Sequence, residues 1–128
     1  MKLLLDTHIV LAFLRREFDS QFPAFHKFFS GETISGFVSV ASLWEIAIKS
    51  RLGKLDPGMP LDQMPVMLQA SDLKILPIDI AHVITAAEPE PETRDPFDRL
   101  LLAQCQAEGL LLVTVDRALV HHPLALKF

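Results

Sequence analysis

Short runs of consecutive apolar residues alternate along the chain with segments whose apolar positions recur at helical spacing. "KLLL" at 2–5 ends at Asp6, and "THIVLAFLRR" then continues with a helical period, which predicts a strand running into a helix. "FPAFHKFFS" at 22–30 predicts a second helix with phenylalanines on one face, closed by Gly31, and "GFVSV" at 36–40 a strand. A helix follows from Ser42 to near Gly53. Three prolines and a glycine in residues 55–65 mark a connection, with "VMLQAS" as a short helix after it. Residues 73–78 ("LKILPI") form the next strand, 79–87 a helix, and 88–95 ("EPEPETRD") an exposed acidic loop.

"RDPFDRLLLAQC" opens the last helix. Asp95 before Pro96 reads as an N-cap followed by proline at the first helical position, and Asp98 falls in the first turn. This helix runs to about Glu108 and ends at Gly109, and "LLLVTV" at 110–115 is a fully apolar strand reaching Asp116. Continuously apolar strands separated by helices indicate a parallel sheet covered on both faces. The expected architecture is a three-layer α/β fold with a central parallel sheet of four to five strands flanked by helices.

Composition narrows the function classes. A chain of 128 residues is the size of one domain and can bury roughly two-thirds of its unfolded surface. With 50% hydrophobic and 22% charged residues, a compact globule is favoured over disorder. The lone Cys105 cannot form an intramolecular disulfide and fits a reducing, cytoplasmic setting as a small core residue. "MKLLLDTH" is too short an apolar run for a signal peptide, and no stretch approaches the ~20 apolar residues of a membrane span. A net charge of −4 offers no global attraction to phosphates, so nucleic-acid contact would need a local basic patch and a cation-screened acidic site.

Four acids stand out. Asp6 and Asp116 directly follow strands, where the ligand crevice of an open parallel sheet lies. Each alone is equally an N-cap, and Asp79 after its strand shares that context. Glu45 forms a possible capping box with Ser42 and an i,i+4 pair with Lys49. Those three fall within roughly 60° of each other on the helical wheel, while apolar residues including Trp44 take most of the remaining circumference. This predicts a helix buried nearly all round, with one narrow polar stripe that meets either water or a site. Asp98 shares a face with Leu101, Leu102 and Cys105, which puts its carboxylate at the rim of the core.

If the four carboxylates converge, each like-charged pair at ~5 Å repels by roughly 3 kcal/mol at an effective dielectric of about 20. Some then protonate, or a cation sits among them. An all-oxygen set selects Mg²⁺ or Mn²⁺ over zinc, and such ions suit hydrolysis of a phosphodiester. His8 suits capping or packing, and His26, His82, His121 and His122 show no metal-ligand spacing with one another.

"LLLDTHIVLAFL" at 3–14, "SVASLWEIAIKSRLGK" at 39–54, "RDPFDRLLLAQCQAEGL" at 94–110 and "LVTVD" at 112–116 resemble, in order and spacing, the four motifs of the PIN-domain family, and specifically its VapC-type ribonuclease toxins. The chain departs from many relatives at Ala12 and Val115. The resemblance implies a PIN-like nuclease domain over residues 1–128, with Asp6, Glu45, Asp98 and Asp116 as the acidic site and Asp6, Asp98 and Asp116 as ligands of Mg²⁺ or Mn²⁺. It makes Asp95 a helix cap beside that site and Thr114 a hydroxyl near the last acid. It further implies an endoribonuclease acting on RNA, a homodimer, and a cognate antitoxin protein that inhibits it. Ser42 and Lys49 lie beside Glu45, and Lys49, Arg51, Lys54, Arg94 and Arg99 could supply a local positive rim for RNA.

Two other readings compete. A phosphotransfer domain with an aspartyl nucleophile would want a second carboxylate two residues after Asp6, where His8 stands. A binding module that only pairs with RNA or protein would need no acids, and all four are present.

Overall fold

A computed structural model of the chain describes residues 1–30 and 33–127. Strands β1 (Lys2–Leu5), β2 (Ser35–Ser39), β3 (Leu73–Leu76) and β4 (Leu111–Val113) form one sheet in the order β3-β2-β1-β4, and every neighbouring pair is parallel. Helices flank it: α1 (Thr7–Leu14), α2 (Phe18–Gln21), α3 (Pro23–Ser30), α4 (Val40–Arg51), α5 (Met64–Ala70), α6 (Ile80–Ile84) and α7 (Pro96–Glu108). The α/β fold with a four-stranded parallel sheet is the one the apolar runs predict.

The layers follow from the alternation of side chains along β1. Leu3 and Leu5 enter one core with Ile9, Val10 and Leu14 of α1, Phe18, Phe25, Ile46 and Leu68. Leu4 points the other way, into a second core with Leu101, Leu102 and Cys105 of α7, Leu112 and Leu119. Because β1 is covered on both faces and paired on both edges, three successive leucines all become buried. The phenylalanine face of α3 joins the first core through Phe25 and Phe29. Gly31, expected to close that helix, and the side chain of His26 lie outside the described residues.

Several boundaries differ from expectation. The chain inserts α2 before α3, and a 3-10 turn (Leu61–Gln63) leads into α5, which starts at Met64. Helix α6 is shorter than 79–87, and β4 stops at Val113. Leu112 continues its pairing instead with the C-terminal segment, donating to Leu124 O (2.8 Å) and accepting from Leu126 N (2.8 Å). Helix α4 is capped by Ser39, whose hydroxyl accepts from Ala41 N, so the expected capping role of Ser42 is not the one observed. Starting the helix earlier turns Ser42 inward, where its hydroxyl meets Thr7.

Helix α7 has both predicted ends. The Asp95 carboxylate accepts from Phe97 N (2.8 Å) and Asp98 N (3.2 Å), with Pro96 at the position whose N–H would have no partner. Gly109 closes it at φ 69°, a left-handed conformation that costs a β-branched residue about 1–2 kcal/mol. Gly109→Val is therefore expected to lower the unfolding free energy by that amount, read as a lower urea midpoint with an unchanged slope, and Gly109→Asn to stay closer to wild type. Equal losses in the two variants would show that the left-handed backbone is not what that position requires.

Candidate active site

Asp6 stands where β1 hands over to α1. Its backbone N–H extends the β1–β4 ladder to Val113 O (2.9 Å), which fixes the residue against the sheet. Its side chain is buried, only 3% of the residue being exposed, and accepts at both oxygens: Thr7 N to Oδ1 at 2.7 Å, Thr114 Oγ1 to Oδ2 at 2.6 Å. Thr114 in turn accepts from Asp116 N (3.0 Å), so one hydroxyl ties the ends of two adjacent strands and sets the course of the chain into Asp116. The Asp116 carboxylate, half-buried, accepts from Ala118 N (2.8 Å).

Thr7 performs the corresponding task toward α4. Its Oγ1 lies 2.9 Å from Glu45 Oε1 and 3.0 Å from Ser42 Oγ. With one proton, it serves the carboxylate as the stronger acceptor, and the Ser42 hydroxyl completes the group. The second Glu45 oxygen accepts from Lys49 Nζ at 2.7 Å. Glu45 is 8% exposed and Ser42 is fully buried, whereas Trp44 is 57% exposed. Of the two outcomes open to the polar stripe, water or a site, the fold takes the buried one, while the expectation of a helix buried nearly all round fails at Trp44. The polar stripe faces inward, and part of the apolar circumference meets solvent.

Asp98 projects from the first turn of α7 and accepts from Thr93 Oγ1 (3.2 Å). Desolvation, then the charges of Asp95, Asp6 and Asp116, push its pKa up to about 7. Burial likewise raises Asp6, against the hydrogen bonds of Thr114 and Thr7 and the charge of His8, with Asp116 adding to the rise. The pKa of Lys49 is raised by its hydrogen bond to Glu45, against a partial loss of solvation, with the charges of Glu45, Asp95 and Asp98 adding to the rise. The fold thus brings the four sequence-predicted acids into one electrostatic neighbourhood. Asp95, exposed and occupied by two backbone N–H groups, acts on it as a nearby charge.

The positions differ in how their charge is met. Lys49 neutralises Glu45, while among the described residues no ion pair reaches Asp6, Asp98 or Asp116. Three carboxylates with no ion pair among the described residues form an all-oxygen donor set suited to a hard divalent cation, and burial, with the neighbouring acids adding to it, holds the Asp98 pKa up.

Arg99 is engaged elsewhere. Its guanidinium donates to Thr93 O (2.7 Å), Pro91 O (3.1 Å) and Glu90 Oε1 (3.3 Å), so it clamps the acidic loop rather than extending to a substrate.

Sequence reasoning missed Thr7 and Thr93, whose hydroxyls orient Glu45 and Asp98. The threonine beside the acid in "DTH" is the one signal that could have suggested the first. It also assigned nothing to His82, which is buried between α6 and α7. Asp79, His82 and Glu108 offer ligand atoms within 4.8 Å of one another and could hold an ion. Hydrogen bonding already accounts for the ring: Nδ1 accepts from Asp79 N (3.1 Å), and Nε2 donates to Glu108 Oε1 (2.8 Å). This group lies about 15 Å along α7 from Asp98. A neutral ring that accepts at one nitrogen and donates at the other holds this group together.

The family model of the PIN domain matches residues 3–123, which include every element that carries the four acids. The chain belongs to the PIN domain family. PIN domains are typically metal-dependent nucleases, and a hydrolase with a divalent cation among carboxylates accords with the donor set above. No curated protein matches the chain. Among the described residues of this PIN domain, no helix is long and apolar enough to cross a membrane.

The raised acids couple stability to pH. Folded Asp98 keeps its proton to about pH 7, whereas the unfolded chain releases it near 3.8. The native state therefore holds the extra proton between those values, and stability falls as pH rises through the window. In a chelator, the thermal midpoint of this PIN domain is expected to fall between about pH 5 and about pH 8. Asp98→Asn should fall less, gaining on the order of 1 kcal/mol at the alkaline end once solvent screening is allowed for. Parallel pH profiles of the two proteins would contradict the raised pKa of Asp98.

Proposed function

We propose that this PIN domain is a Mg²⁺- or Mn²⁺-dependent endoribonuclease that hydrolyses RNA phosphodiester bonds with water as nucleophile. On this reading it is a VapC-type toxin neutralised by a cognate antitoxin. The observation that carries the catalytic part is the set of three carboxylates with no ion pair among the described residues, Asp6, Asp98 and Asp116, delivered by the end of β1, the first turn of α7 and the turn after β4. The motif order in the sequence supports the toxin subtype.

Asp6, Asp98 and Asp116 would hold the cation, which supplies Lewis acidity and charge neutralisation toward a phosphodiester when bound. The chain's own work is orientation. Thr7 N and Thr114 Oγ1 fix both oxygens of Asp6, so its carboxylate cannot rotate away from the strand end. Thr93 holds Oδ2 of Asp98. Glu45, held by Thr7 and Lys49, completes the acidic wall from α4. The side chain of Lys49, 44% exposed, can carry its ammonium from Glu45 to a substrate phosphate, and exposed Arg51, Lys54 and Arg94 add local positive charge that the net charge of −4 does not supply.

Incubation of purified protein with total cellular RNA and Mg²⁺ or Mn²⁺ tests the reading. Wild type is expected to release discrete fragments. Asp98→Asn should lose at least about 100-fold in rate, since even indirect disturbance of a metal ligand costs about 10–100-fold. Asp95→Asn, which keeps an N-cap, should remain within a few-fold. Full activity in Asp98→Asn would remove that residue from the reaction, and an inert wild type with both metals would favour a PIN domain that only binds RNA or protein.

The proposal includes a homodimer. Its support is α6, whose Ile80, Val83 and Ile84 are 77%, 61% and 77% exposed on one short helix, a concentration of apolar surface suited to protein contact. Sedimentation equilibrium is expected to give twice the 14.3 kDa chain mass, and Val83→Glu with Ile84→Glu to return it to the monomer. A wild-type monomer at micromolar concentration would discard the dimer while leaving the nuclease reading intact.

A further inference from the structure

Two consecutive residues in the first turn of α7 hold one residue of the acidic loop from two sides. Asp98 Oδ2 accepts from the hydroxyl of Thr93 (3.2 Å), and Arg99 donates from Nε to the Thr93 carbonyl (2.7 Å). Among the described residues no other donor reaches that carbonyl. The Thr93 hydroxyl also accepts from Asp95 N (3.2 Å), which leaves its single proton for Asp98. Oδ1 of Asp98 has no hydrogen bond among the described residues, so the grip on Oδ2 orients the carboxylate and keeps one oxygen open.

The other contacts of the guanidinium run along the same loop, from Nη2 to Pro91 O (3.1 Å) and from Nη1 to Glu90 Oε1 (3.3 Å). They are unequal in effect. The Glu90 side chain is 81% exposed, so its pairing with Arg99 is a solvent-screened contact of little weight. The two carbonyls are points of backbone, and a charged donor binds a carbonyl more strongly than a neutral one does. Meeting both at once takes a rigid, planar fork of donors, which a guanidinium has and an ammonium on a flexible stem lacks. The shape of Arg99, beyond its charge, is what the loop uses.

We infer that Arg99 is a positioning residue of the acid site: by fixing the Thr93 carbonyl it keeps the Thr93 hydroxyl on Asp98, and so sets the affinity of the aspartates for a divalent cation without touching cation or RNA. The inference rests on the nuclease reading for the identity of the cation site. It gives Arg99 a different task from the phosphate rim that its charge suggests, and the two tasks separate experimentally. A rim charge is replaceable by lysine and acts on RNA. A fork on two carbonyls is not replaceable, and it acts before any RNA is present.

Mn²⁺ titrations of the purified full chain without RNA, read from the paramagnetic resonance of the free ion, test this with thermal midpoints measured alongside. Wild type is expected to bind saturably. Arg99→Lys should bind Mn²⁺ about tenfold more weakly although the charge is kept, since loss of a partner behind a metal ligand costs about 10–100-fold. Thr93→Val should lose a similar factor, and Thr93→Ser, which keeps the hydroxyl, should recover most of it. Adding Arg99→Lys to Thr93→Val should cost less than about twofold more, because both act through one path. Gln106 ties the same loop to α7 at its far end, accepting from Glu88 N at 2.7 Å. Gln106→Ala should therefore lower the thermal midpoint and leave Mn²⁺ affinity within about twofold. With RNA and saturating Mn²⁺, Arg99→Lys should keep KM within about twofold of wild type.

Wild-type Mn²⁺ affinity in Arg99→Lys overturns the inference, as do losses that multiply in full in the double variant. An equal loss in Gln106→Ala would assign the effect to loop stability at large and overturn it as well. If wild type cuts RNA and Arg99→Lys binds Mn²⁺ unchanged, the positioning role alone falls. If Mn²⁺ binds through Arg99 and Thr93 as expected and no RNA is cut, the positioning role stands and the nuclease reading falls. Wild type that neither binds Mn²⁺ nor cuts removes both.

Discussion

The desolvated carboxylate at the end of β1 is the constraint on which the site depends. Asp6 follows three leucines buried on both faces of the sheet and is itself almost wholly buried, so its charge must be met by fixed donors or by a cation. Each donor it recruits also organises another element. Thr7 N belongs to the first turn of α1, and Thr114 Oγ1 closes the chain after β4. The Thr7 side chain then reaches α4 through Ser42 and Glu45. A single buried acid thereby couples α1, α4 and β4 at one end of the sheet.

Charge balance then separates acids that look alike in sequence. Glu45 has an internal cation in Lys49 and hydrogen bonds to both oxygens. Asp95 is spent on capping α7. Asp6, Asp98 and Asp116 have no ion pair among the described residues, and burial, then the neighbouring acids, raises Asp98 to about 7. Metal binding and proton binding are alternative ways of relieving the same repulsion. At the other end of α7, His82 meets Asp79 and Glu108 in a compact hydrogen-bonded group, and this holds α6 in place without any such deficit.

Helix α4 shows what a wheel of residue types leaves undecided. Counting apolar positions predicts a helix buried nearly all round, Trp44 included, and leaves open whether the stripe of Ser42, Glu45 and Lys49 meets water or a site. The helix starts at Val40, and the hydroxyl of Thr7 offers the polar residues a buried partner. Periodicity records only how side chains are spaced around the axis. It carries no information about a hydrogen-bonding residue that arrives from 38 positions away. Arg99 gives the same lesson, since its acceptors are carbonyls of a loop whose path no local pattern specifies.

By itself, the sequence determined the order of the four strands, the parallel sheet and both ends of α7, and it marked four acids as candidates. These depend on local quantities: apolar runs that demand double-sided cover, a cap and proline at one terminus, and a left-handed glycine at the other. Tertiary structure alone decided which acids stay unpaired, which hydroxyls hold them, and that the tryptophan faces outward. Those outcomes turn on burial and on partners distant in the chain, because the free energy of a charge or a polar group is set by whatever packs around it.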